Sequence, residues 1–143
     1  AYKSREDAAA SMNLIAGTIY VLAVKDQRAA VPYLYRTTLA PDTSDVARNP
    51  KPFEMIGDFY LDELKKMPET SRRDQMAEQA MIAFAKAFVL TAKVDDQKKL
   101  RQDFIIAYRH RWNTVQLQDV DKLILKSSSN KLIDPASLLT SPK

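Results

Sequence analysis

The densest run of chemically capable side chains in this sequence is Lys98, Lys99, Arg101, Arg109, His110 and Arg111, interleaved with Tyr108 and Trp112. Cations beside an aromatic plane can grip phosphates and stack a base. On a helix, Lys98, Arg101, Arg109 and Trp112 fall near one face, at i, i+3, i+11 and i+14. Asp95, Asp96 and Asp103 share the segment and dilute its field. The expected arrangement is therefore the solvated face of a terminal helix, with Trp112 tucked into the core. Carboxylates also occur in pairs, as Asp58/Asp62, Asp62/Glu63 and Asp95/Asp96. They have little to work with, because the chain holds one histidine, His110, and no cysteine. A thiol nucleophile and a Cys zinc site cannot be written, and the common triads are hard to build. The carboxylates read as caps and surface. No catalytic, metal or cofactor site is expected.

What could position such residues is limited by composition. A chain of 143 residues is one domain or a slice of a larger one, long enough to fold without a staple. Hydrophobic residues at 45% and charged residues at 28% exclude a disordered polymer. A net charge of +4 is too small to imply a nucleic-acid partner by itself. Average usage would give about ten glycines in this length, and there are 2. Sheets and phosphate loops spend glycine on turns, so the shortage argues for helices and excludes a Walker loop or a GxGxxG fingerprint. The longest apolar run, Leu14–Val24, is about half of what a bilayer span needs, so no transmembrane segment is expected. The chain opens on Ala-Tyr-Lys rather than methionine, as a processed product or an excised piece would.

Periodicity places six helices. The first, over 8–24, has an apolar stripe at Met12, Ile15, Ile19 and Leu22 and is apolar nearly all round, so it should be covered on two sides. Asp26 is placed to cap a second helix over 27–40 that stops at Pro41. A third runs over about 52–66, closed by Pro68. A fourth runs over 72–93 after Ser71, a fifth over 96–112 after Asp95, and a shorter sixth over 116–126. From Ser127 onward, serines, Asn130 and two prolines indicate an extended tail, so residues 1–126 form the domain and 127–143 the tail. The fold class is all-α, built of antiparallel helix pairs.

The two glycines open the same pattern, Gly17-x-x-Tyr20 and Gly57-x-x-Tyr60. After the first come Ala29, Tyr33 and Pro41. After the second come Ala80, Phe84 and Ala87, with Phe53 and Ile56 just before it. This resembles the tetratricopeptide repeat, a helix–turn–helix unit of ~34 residues with small residues where paired helices touch. Asn13, Ala16 and Arg36 depart from the family pattern. The units cover about 8–42 and 50–93, with 96–126 as capping helices, and the second carries about eleven extra residues around 67–76. A glycine inside a helix costs ~1 kcal/mol against alanine, and a close approach of the paired helices supplies the reason for keeping it.

The resemblance implies a short right-handed superhelix, a non-catalytic interaction scaffold and a protein or peptide partner on the concave face. The positions it assigns to that face include Ser11, Leu14, Thr18, Val21 and Leu22 in unit one. In unit two they are Lys51, Glu54, Asp58, Leu61 and Asp62. Leu14 and Thr18 stand where the carboxylate clamp known in the family would need Lys and Asn, so that clamp is not expected. The apolar unit-one set suggests a groove for an apolar segment or a seam under a neighbouring repeat. Two units are few for a stable array. The expectation is a C-terminal piece of a longer array with its own cap, with self-association through 8–24 as another way to cover the first helix. The rival is a basic helical domain binding nucleic acid or an acidic surface through Lys98, Arg101, Arg109, Arg111 and Trp112; the aspartates argue against it.

Overall fold

Asp26 does what its position predicts. Its carboxylate accepts the Ala29 N–H at 3.0 Å and starts a helix. Residues 5–41, 44–112 and 118–139 are described in this computed structural model. Among them there are seven α-helices and no strand. Helix α1 spans Arg5–Ile19 and continues as a π-helical turn, Tyr20–Val24, which Lys25 ends in the left-handed conformation at φ 60°. Helix α2 is Gln27–Thr38, α3 Lys51–Leu64, α4 Ser71–Leu90, α5 Val94–Trp112, α6 Val120–Ser128 and α7 Ala136–Leu139, with a 3-10 turn at Val46–Arg48. The expected start of the sixth helix at 116, and the chain end after 139, lie outside the described residues.

Successive helices pack on one another, α1 on α2, α2 on α3, α3 on α4 and α4 on α5. Helix α4 is the hub, because α6 and α7 also lie against it. Its sequence explains this: Ala77, Ala80, Ala83, Ala85 and Ala87 let neighbours close in on several sides while Met76 and Phe84 fill the spaces between them. Thr70, rather than Ser71, caps it by accepting the Arg73 N–H at 3.3 Å. The extra residues of the second helix pair are shared between the loop 65–70 and additional turns at the start of α4.

Both glycines mark close approaches. A Cβ on Gly57 would stand 2.6–2.8 Å from three ring carbons of Phe84. On Gly17 it would stand 2.7 Å from Leu34 Cδ2, with the Ala30 carbonyl at 3.5 Å. The residues opposite Gly17 are thus Ala30 and Leu34, one position later than the Ala29 and Tyr33 that sequence spacing selects. The π turn between them is the cause, since an i→i+5 turn takes up one more residue than an α turn. The shift also puts buried Thr37, not exposed Arg36, three residues after the contact. Tyr33 stacks on Tyr20 instead, at 5.6 Å and 16°.

Two further expectations change. The stripe Met12, Ile15, Ile19, Leu22 is exposed, at 68%, 57%, 51% and 66%, while Ala10 and Gly17 are the buried side. The segment after Ser127 is no loose tail: α6 runs to Ser128 and α7 follows. Pro135 and Leu138 are buried, the Ile133 N–H donates to Gln79 Oε1 at 2.9 Å, and Arg28 Nη2 donates to the Leu139 carbonyl at 2.9 Å. Leucines at 132, 138 and 139 give that segment enough apolar surface to fold back onto the core.

Tyr60 is fully buried, and its hydroxyl has no hydrogen-bond partner among the described residues. Burial, with Asp134 and Tyr35 nearby, pushes its ionisation far above the usual phenol range. Removing an unsatisfied buried hydroxyl while keeping the ring should help. Tyr60→Phe is expected to raise stability by about 1 kcal/mol, read as a higher urea midpoint at unchanged slope.

Candidate interaction site

Lys99 joins two helices. On α5 it lies one turn before Asp103, and its ammonium donates to Asp103 Oδ2 at 3.0 Å and to Glu54 Oε1 on α3 at 3.3 Å. Glu54 also takes Lys51, whose Nζ is 3.4 Å from Oε2. Asp58, one turn after Glu54, is half-buried in the field of this group. Burial is the main reason its carboxyl is pushed up to about 6; Lys99 works the other way, and Asp103, Glu54 and Asp62 add to the rise. Burial alone would lower Lys99, but the bond to Asp103 and the charges of Asp103, Asp58 and Glu54 outweigh it and hold it above the usual ammonium range. The result is three carboxylates, Glu54, Asp58 and Asp103, around the exposed ammonium of Lys99, with Lys51 also on Glu54 and Asp62 adding negative charge beside Asp58. Among the described residues no group of three or more His, Asp or Glu has the arrangement of a metal site.

The residues singled out in the sequence are distributed unevenly around this patch. Asp58 belongs to it and Asp62 is exposed on the same helix, but Leu61 is 7% exposed and is part of the core. A residue three places from Asp58 points inward because α3 packs on both α2 and α4. Leu14 and Thr18 on α1, and Val21 on the π turn that follows it, are half-buried. Thr18 Oγ1 donates to the Leu14 carbonyl at 2.7 Å, and Val21 leans on the core. Sequence reasoning placed Lys99 with the basic run and counted Asp103 only as diluting its field; the i, i+4 spacing of Lys99 and Asp103, matching that of Glu54 and Asp58, was the available signal for the pair.

The basic run is largely tied up. Arg101 forms a two-pronged pair with Asp121, at 2.9 and 3.3 Å, and lies 5.3 Å from the Phe88 ring. Arg111 Nε is 2.6 Å from Glu78 Oε1, and its guanidinium lies 3.9 Å over Trp112. Lys98 and Arg109 are exposed. Trp112 is 52% exposed, not tucked into the core, and lines a cleft of about 270 Å³ with Met81, Tyr108 and Leu123. His110 Nδ1 is 3.1 Å from Arg73 Nη2, while Arg73 Nε holds the Leu64 carbonyl at 3.0 Å. Burial, then Arg73 and Lys65, lowers the His110 pKa and keeps the ring neutral, so that Nδ1 accepts. Arg73 thereby locks the end of α3, the start of α4 and the end of α5 together.

One helical segment, Arg5–Val24, is apolar enough in length and composition to pass the test for a bilayer span, at a mean hydropathy of 1.4. It is a weak candidate, since core helices of ordinary domains pass the same test, and there is no clear transmembrane segment among the described residues. No family model, curated protein or solved structure matches the chain significantly.

Proposed function

We propose that the chain is a tetratricopeptide-like helical-repeat scaffold that does no chemistry itself and binds a peptide or protein segment along the face made by the first helix of each pair. The observation that carries the reading is the pair of glycines. Each lies where the first helix of a pair meets the second, against Leu34 in one case and Phe84 in the other. The glycine position of such repeats serves this contact. The groove would run from Leu14, Thr18 and Val21 to Asp58 and Asp62, so the segment it holds combines apolar side chains with a Lys or Arg at the α3–α5 end. Lys99 stays with Glu54 and Asp103 and orders the floor beneath it.

The test is a library of short peptides pairing apolar and basic residues, screened by fluorescence anisotropy. Selected peptides should bind about tenfold more weakly to Asp62→Lys, and more weakly below pH 6, where Asp58 takes up a proton. The rival nucleic-acid reading gains if no peptide binds and single-stranded RNA does, with an affinity falling steeply in salt and lost in Arg109→Ala/Arg111→Ala.

A further inference from the structure

The segment that follows α6 is held on the molecule as a bound peptide would be. Lys86 Nζ donates to the Ser128 carbonyl at 2.9 Å and pins the end of α6 to α4. After it Ser129, Asn130 and Lys131 are exposed. Residues 132–139 then cross α4 towards the start of α2. The Gln79 amide oxygen accepts the Ile133 N–H at 2.9 Å, and Arg28 Nη2 donates to the Leu139 carbonyl at 2.9 Å. Both bonds grip the main chain of the segment, whatever side chains it carries. Gln79 is itself buried, and Arg28 also reaches Glu63 at 3.5 Å. Pro135 and Leu138 are buried, while Ile133, Asp134, Ala136 and Ser137 stay exposed. The turn keeps its shape by its own bonds, from the Ala136 N–H to Asp134 Oδ1 and from the Ser137 N–H to the Asp134 carbonyl, each at 3.0 Å.

We infer that the groove between α4 and the start of α2 is a peptide-binding site, which the chain closes with its own residues 132–139, and that its ligand in trans is a partner segment of the same pattern. The pattern is a proline with a leucine three residues on, an acid before the proline to cap the turn, and a free main-chain N–H two residues before it. Main-chain hydrogen bonds for affinity, with a few buried side chains for specificity, are how short segments are recognised. A turn that holds itself together loses little freedom on docking. The chain's own fit is incomplete. Tyr60 shares a core with Leu138 and feels the charge of Asp134, yet its hydroxyl finds no partner among the described residues, those of the segment included. A partner segment that places an acceptor there binds better than the chain's own. The short tether keeps residues 132–139 at an effective concentration on the order of millimolar. The site is therefore closed at rest and yields to a ligand that fits better or is locally abundant. The proposal uses none of the residues of the α1–α3 groove, and neither reading depends on the other.

The probe is a fluorescein-labelled peptide of residues 131–139, read by anisotropy against the full chain. Wild type should need peptide at about millimolar concentration for half-saturation, because its own segment competes. Leu138→Asp in the chain unseats that segment, and this opened chain should bind the wild-type peptide at least about tenfold more tightly, with unchanged helix content. Leu138→Ala is the milder opening variant should the aspartate cost helix content. The Leu138→Asp change made in the peptide instead should abolish binding. Arg28→Ala added to the opened chain should weaken it about tenfold, through the lost bond to the Leu139 carbonyl. Three results would overturn the inference: no peptide binding to an opened chain that keeps its helices, equal affinity for the opened and wild-type chains, or loss of helix content in both opening variants, which would make the segment indispensable to the fold.

Discussion

Phe84→Ala should lower stability by about 3–5 kcal/mol, since it empties a fully buried aromatic site in the hub helix. Phe84 is also the surface on which Gly57 rests, so the two positions should couple. In an ordinary helix Gly→Ala gains ~1 kcal/mol. At Gly57 the new methyl would meet a rigid ring at 2.6 Å, and Gly57→Ala should instead lose about 1–3 kcal/mol. Gly17→Ala meets the end of a leucine side chain, which can turn aside, so the propensity gain offsets the clash and the change should stay within about 1 kcal/mol of zero. Urea unfolding of the three variants checks the order. In Phe84→Ala the penalty of Gly57→Ala should vanish or reverse, because the methyl then fills the space the ring left. An equal penalty in both backgrounds would show that the glycine is kept for some other reason.

Asp58→Asn should stabilise the protein at neutral pH and do nothing in acid. The sign follows from a carboxyl raised from 3.8 to about 6 on folding. Below the lower value both the folded and the unfolded chain hold the proton, and the group is indifferent. Between the two values the unfolded chain releases its proton and the folded chain does not, so stability falls as pH rises. Above about 6 the cost is complete. Two pH units correspond to at most ~3 kcal/mol, and solvent screening of a half-buried group leaves about 1–2 kcal/mol as the expected gain. The check is the urea midpoint of wild type and variant at pH 3.5 and 7.5: a gain present only at the higher pH supports the assignment, and an equal gain at both would remove it. His110 acts in the opposite sense, since a neutral ring held below its usual pKa costs stability as pH falls. The comparison is therefore best made in a His110→Gln background, where the amide oxygen can still accept from Arg73. A half-buried carboxylate kept at such a cost is consistent with the proposed role of the patch in receiving a cation.

Much of the architecture could be read from residue order alone. Scarce glycine and helical periodicity point to an all-α chain. Asp26 marks a helix start, Pro41 and Pro68 follow helix ends, and both glycines sit where a neighbour presses on the helix. These features are local, because a cap or a missing Cβ acts within one turn of the chain or at one contact. Less of the interaction site was legible. Asp58 and Asp62 could be named, but their link to Lys99 and Asp103 spans more than forty residues and is made only when α3 and α5 come side by side.

Three matters were decided by the tertiary structure. The π turn moved the contact of α1 from Tyr33 to Leu34, a shift of one residue that spacing cannot carry. The leucines after Asn130 found a hydrophobic surface on α4 and turned an expected tail into part of the core. Finally, the exposed stripe of α1 shows the general reason. Periodicity fixes which side chains share a face, but on a helix apolar all round it does not say which face the neighbours cover. The sequence by itself determined that Met12, Ile15, Ile19 and Leu22 stand together; only the packing of α2 against Ala10 and Gly17 left them facing outward.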